Sequence, residues 1–142
     1  MVACTNIEKL DISSNDITLQ GFGVLIDLAG QPNCCLKELN VSKCKIVNLI
    51  SLGALIKRAK KLEVVYAEEC GLNFGNREEL SSFFHCLLYR KLRKVSLLRN
   101  DVISDLHLFE ELWISDNVEE IAIDVGTFAE KTSKHLQGKI IN

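Results

Sequence analysis

The sequence predicts a right-handed α/β solenoid, with short parallel strands on one face and helices on the other. Three observations predict it. One apolar pattern recurs five times in 142 residues, beginning at 7, 36, 62, 92 and 118, in steps of 29, 26, 30 and 26. Inside each copy, apolar and other residues alternate with the period of a strand that buries one face. Between copies, apolar residues fall at helical spacing, and parallel strands require a crossover of that kind.

The copies can be read in order. The first is Ile7-Glu-Lys-Leu10-Asp-Ile12-Ser-Ser-Asn15-Asp-Ile17, followed by a helix through Gln20–Ala29 that Gly30 and Pro32 stop. The second is Leu36-Lys-Glu-Leu39-Asn-Val41-Ser-Lys-Cys44-Lys-Ile46, with Asn48 placed to cap a helix over 49–59. The third is Leu62-Glu-Val-Val65-Tyr-Ala67-Glu-Glu-Cys70-Gly-Leu72, and Asn76-x-x-Glu79 then reads as a helix start. The fourth is Leu92-Arg-Lys-Val95-Ser-Leu97-Leu-Arg-Asn100-Asp-Val102, before a helix capped at Ser104 and carrying Leu108, Leu112 and Trp113. The fifth, Val118-Glu-Glu-Ile121-Ala-Ile123-Asp-Val-Gly126, is degenerate, and Thr127-x-x-Glu130 opens its helix. The alternation buries Leu39, Val41, Val65, Ala67, Val95 and Leu97, and turns Tyr66 and Leu98 to the other side of the sheet. The whole chain, 1–142, is expected to form one domain.

The template resembles the leucine-rich repeat L-x-x-L-x-L-x-x-N/C-x-L, and the likeness spans nearly the whole chain. Repeats of 26–30 residues with helix-sized crossovers resemble the ribonuclease-inhibitor-like class, shared by cytosolic NOD-like receptors and Ran GTPase-activating proteins. The turns at Cys44 and Cys70 also resemble the cysteine-containing class of F-box adaptors. The resemblance implies that Asn15, Cys44, Cys70 and Asn100 form a structural ladder bonding the backbone of adjacent turns. Asparagine suits this because its amide both donates and accepts, and cysteine because it is small and offers a weak donor. Gly126 cannot fill that position. A Ran GTPase-activating role sits poorly with five units and a terminus reading Lys139-Ile-Ile-Asn142.

Composition narrows the remaining classes. Branched Leu and Ile supply 34 residues, enough for a continuous core. The net charge of −2 argues against bulk attraction to nucleic acid or an anionic membrane. The longest apolar stretch, Ile46 to Ile56, is shorter than the ~20 residues a bilayer span needs. Without a signal-like start, the six cysteines read as reduced thiols and the location as cytoplasmic. No phosphate-loop, dinucleotide or metalloprotease motif occurs, and His107 and His135 lack ligands at metal spacing. Neighbours on a helix point about 100° apart, so His85 and Cys86 are no nucleophile–base pair, and Cys86 reads as a buried helix residue. Cys34-Cys35 reads as core filling. No enzyme activity, cofactor, metal or small-molecule substrate is expected.

What remains is a surface. The polar side of the sheet carries Val64, Tyr66 and Glu68 from the third copy, and Lys94, Leu98 and Arg99 from the fourth. An aromatic anchor ringed by charge is a common composition for a binding hot spot. The expected function is a protein-interaction module with a protein partner on this face. The alternative is a structural subunit or excerpt of a longer array, a receptor or ubiquitin-ligase adaptor, whose ends pack on other repeats; exposed Ile7, Leu10 and Ile12 would favour it. Two basic clusters, Lys57-Arg58-x-Lys60-Lys61 and Arg90-Lys91-x-Arg93-Lys94, lie one repeat apart and read as helix C-terminal charge or as a site for an acidic segment or phosphate. The pairs Glu68-Glu69, Glu78-Glu79, Glu110-Glu111 and Glu119-Glu120 read as solvated faces.

Overall fold

The computed structural model describes residues 6–101 and 118–124 and the backbone of 140–141. The expected helix starts at Ser104 and Thr127, together with Leu108, Leu112, Trp113, Cys4, Glu110-Glu111, His107, His135 and Gly126, lie outside the described residues. The elements alternate: β1 (Lys9–Asp11), α1 (Leu19–Ala29), β2 (Glu38–Asn40), α2 (Leu49–Arg58), β3 (Val64–Tyr66), α3 (Arg77–Leu87) and β4 (Lys94–Ser96), then β5 (Ile121–Ala122) and β6 (Ile140–Ile141).

All neighbouring strands pair in parallel, in the order of the sequence. The register stacks identical template positions. Leu10, Leu39, Val65, Val95 and Ile121 form one column facing the helices, and from Leu39 onward that column is buried. Val41, Ala67, Leu97 and Ile123 are fully buried beside it. β6 is a sixth strand that the repeat template does not supply. It follows β5 at a shorter step than any between the five copies, and lacks the apolar spacing by which the others are recognised.

The helices begin where side chains satisfy their free N–H groups. Asn48 Oδ1 accepts from Ser51 N at 2.8 Å while Ser51 Oγ accepts from Asn48 N, a reciprocal cap on α2. Asn76 Oδ1 accepts from Glu78 N and Glu79 N on α3. On α1 the cap is Thr18, whose Oγ1 accepts from Gly21 N at 3.0 Å. α2 buries Leu49, Leu52, Leu55 and Ile56, and α3 buries Leu80, Phe83, Phe84 and Leu87. The two approach closely because Gly53 has no side chain: a Cβ there would lie 3.1 Å from Cys86 Sγ. Cys86 is thus a half-buried contact residue between helices. His85 points elsewhere, its Nδ1 2.9 Å from Ser81 O. No described helix is long and apolar enough to cross a membrane.

Candidate functional site

Each strand leaves the sheet through the same turn. Ser14, Lys43, Glu69 and Arg99 all hold positive φ, between 53° and 62°, and each immediately precedes a position of the Asn/Cys ladder. A left-handed residue costs most side chains roughly 1–2 kcal/mol, so something must enforce it four times. In three of the four turns the next residue bonds across repeats. Cys44 Sγ donates to Ile12 O at 3.3 Å, Cys70 Sγ to Val41 O at 3.2 Å, and Asn100 Nδ2 to Ala67 O at 2.8 Å. The acceptors are equivalent carbonyls, each one repeat back. Asn100 does more than the cysteines: its Oδ1 also accepts from Cys70 N and Leu72 N. Asn15 heads the series and bonds only within its own turn, to Ile12 O and Ser13 O. Cys34, Cys35, Cys44, Cys70 and Cys86 are free thiols. Burial pushes the Cys70 thiol's pKa up, and that of Cys86 likewise.

The solvent side of the sheet carries two columns. Lys9, Glu38, Val64 and Lys94 form one; Asp11, Asn40, Tyr66, Ser96 and Ala122 form the other. Val64 departs from expectation. It lies on this side, yet is only 3% exposed, outside the main core cluster. A small side chain registered between the longer Glu38 and Lys94 is closed over by them. Ser96, registered between Tyr66 and Ala122, is fully buried, with its hydroxyl donating to the Glu68 carboxylate. Tyr66 and Leu98 remain half-buried.

The charges on this face are organised. Glu68, read from sequence as part of a solvated pair, has a side chain only 19% exposed. Its carboxylate accepts from the Ser96 hydroxyl and, at 2.6 Å, from Arg99 Nη2. Lys94 Nζ lies 3.2 Å from Glu120 and 5.5 Å from the centre of the Tyr66 ring. The hydrogen bond that the Lys94 ammonium donates to Glu120 holds its pKa above the usual lysine value, against a smaller effect of burial. The Arg99 backbone N–H donates to Asp124 Oδ2 at 2.6 Å. Lys94 and Arg99 are therefore tethered cations rather than free ones. Sequence reasoning missed Glu120 and Asp124 as their anchors, and Ser96 as the donor to Glu68. The parallel register was the signal, since it brings copy four beside copy three and copy five beside copy four.

A short β-strand, a left-handed turn, a cross-repeat Asn/Cys bond and a helix recur in this order, and the strands stack at equivalent positions. A family model for the leucine-rich repeat matches residues 3–22 and 33–48, which contain the first and second copies of the template. Over those residues the chain is similar to the leucine-rich repeat, and its fold is that of an α/β leucine-rich-repeat solenoid. No curated protein matches the sequence. Leucine-rich-repeat domains generally mediate protein–protein interaction, and their strand-lined face is the extended concave surface of a solenoid. Among the described residues, no group of three or more His, Cys, Asp or Glu side chains could hold a metal ion.

Proposed function

We propose that this protein is a non-catalytic interaction module whose protein partner docks on the solvent face of β3 and β4, centred on Tyr66 and Leu98. The observation that carries the reading is the frame around Tyr66. Its ring sits in register between the short side chains of Asn40 and Ser96, with Lys94 over it and the Glu68–Arg99 pair alongside. A ring held in one place loses little entropy on binding, and its hydroxyl stays hydrated until a partner covers it. Lys94, Arg99 and Glu68 form a polar rim that sets partner orientation, whereas Val64, buried on the same side, is withheld from direct contact. The 26–30-residue repeat lengths and capped helices support the ribonuclease-inhibitor-like class, and the free thiols suit a cytoplasmic setting for this role.

The test compares proteins retained from a cytosolic extract by wild type, Tyr66→Ala and Glu78→Ala, the last on the exposed start of α3. A partner held by wild type and Glu78→Ala should weaken by about 2 kcal/mol or more with Tyr66→Ala, the loss typical of an aromatic anchor. Urea unfolding should show Tyr66→Ala nearly as stable as wild type. Equal retention by all three proteins removes the partner from this face.

The exposed Ile7, Leu19 and Val24 of the first unit favour a second reading, a stretch of a longer array in which another unit covers α1 and β1. That reading expects self-association of the isolated chain that Leu19→Glu with Val24→Glu abolishes in sedimentation velocity.

A further inference from the structure

The helix side carries a feature the sheet face does not use. A cleft of about 510 Å³ opens where α1 and α2 end, and among its lining residues are Asp27, Gly30, Lys57, Arg58, Lys60 and Arg90. Arg58 is fixed in place: its stem lies against Gly30, and its Nη1 is 3.2 Å from Asp27 Oδ1. Arg90 is fixed too. Its two terminal nitrogens donate to the carbonyls of Tyr89 and Lys57, and its Nε is buried without a hydrogen-bond partner. Lys57 Nζ sits 4.6 Å from the centre of the Tyr89 ring, which is itself exposed beside the cleft.

Charge arithmetic selects the ligand. Four cations and one carboxylate among the lining residues leave a net charge of +3. The C-terminal ends of α1 and α2 each contribute roughly −0.5, so about +2 remains. A phosphomonoester carries about −1.5 to −2 near neutral pH and matches it, whereas one carboxylate leaves half uncompensated. Pinned arginines suit an anion with several acceptor oxygens. The site is an open cleft instead of a closed pocket. An exposed aromatic lies on one side, and Lys61, Lys91 and Arg93 follow in the same loops, all exposed. Those surroundings suit a chain that continues past the phosphate.

We propose that this cleft binds a phosphorylated serine or threonine on an acidic segment of a partner polypeptide. The site is separate from the Tyr66 surface and stands whether or not that surface binds a partner.

The probe is a fluorescent peptide with one phosphoserine flanked by glutamates, titrated by anisotropy at low salt. Its unphosphorylated form and free O-phosphoserine are run in parallel. The phosphopeptide should bind at least tenfold tighter than either, and lose affinity as salt rises. Arg58→Gln and Lys60→Glu should each weaken it fivefold or more, and Tyr66→Ala should leave it unchanged. Asp27→Asn should tighten it, since it removes the lining carboxylate. Lys60 is exposed and pairs with no carboxylate among the described residues, so its variant keeps the test sound if Arg58→Gln perturbs folding. No binding of the phosphopeptide, or equal binding of the unphosphorylated peptide, overturns the proposal. Free O-phosphoserine binding as tightly as the phosphopeptide overturns its polypeptide part and makes the ligand a small phosphomonoester.

Discussion

Cys44, Cys70 and Asn100 occupy one position in three successive turns and perform it unequally. A thiol donates weakly to one carbonyl, whereas the Asn100 amide donates to Ala67 O and accepts from two backbone N–H groups of the preceding turn. One repeat back from Cys44, the N–H groups equivalent to those of Cys70 and Leu72 belong to Asn15 and Ile17, and a thiol cannot serve them as an amide oxygen does. Cys44→Asn is therefore expected to be tolerated and to raise stability by up to ~1 kcal/mol. Asn100→Ala should cost at least ~2 kcal/mol, because it leaves several half-buried backbone groups unpaired. Urea unfolding of both variants measures this, and the two must move in opposite directions. Chemical labelling gives an independent check. Burial raises the Cys70 pKa, so at any pH below it less reactive thiolate is present. Iodoacetamide at pH 8 should modify the partly exposed Cys34 and Cys35 in the native protein well before Cys70. Mass mapping that finds Cys70 labelled first would contradict its placement beneath the turn.

At the scale of elements, the contact between α2 and α3 turns on one absent atom. Gly53 lies in a helix interior, where glycine costs roughly 0.8–1.0 kcal/mol relative to alanine, so the sequence accepts that loss for proximity. Gly53→Ala recovers the propensity but sets its Cβ 3.1 Å from Cys86 Sγ and 3.6 Å from Phe83. Crowding of that kind costs about 1–3 kcal/mol, so the single variant should be neutral to destabilising. Cys86→Ala removes the obstructing sulfur. The double variant should then be more stable than the sum of the single effects by about 1 kcal/mol, read from a thermodynamic cycle in urea. Strict additivity would mean that the helices do not meet at this point. The elements themselves were legible from sequence, because Asn48 and Asn76 announce helix starts and the alternation of Leu39 and Val41 announces a strand. The state of Val64, Glu68 and Ser96 was not. Alternation assigns a side chain to a face, but whether it meets water depends on the lengths of Glu38 and Lys94 on neighbouring strands. Arg90 was legible as a charge and not as a cap, since its acceptor, the Lys57 carbonyl, lies a repeat away.

Across the whole molecule, the repeated column Leu10, Leu39, Val65, Val95 and Ile121 shows how one template position acquires different worth. Leu10 and Leu39 are register partners with the same local sequence role, Leu-Asp-Ile against Leu-Asn-Val. Leu39 has a strand on both sides and is 0% exposed. Leu10 lies on the outermost strand, half-exposed and packed against only the margin of the core. α1 behind it buries only Phe22 and Ala29, while Leu19 and Val24 face solvent. In a solenoid each unit is held by its intrinsic stability and its nearest neighbours, so stability should fall from β2–β4 toward β1. Truncating a fully buried leucine costs about 2–5 kcal/mol, while a half-exposed one loses roughly half the burial and leaves no closed cavity. Leu39→Ala should therefore cost at least twice what Leu10→Ala costs. Native-state hydrogen exchange should show the same order, with amides of α1 opening at a lower free energy than those of α2 and β3. Leu10→Ala should accelerate exchange in α1 while leaving α3 at its wild-type rate, because the perturbation acts one interface away. Uniform acceleration across all three helices would mean that the chain opens as one cooperative block, with no gradient from its first repeat.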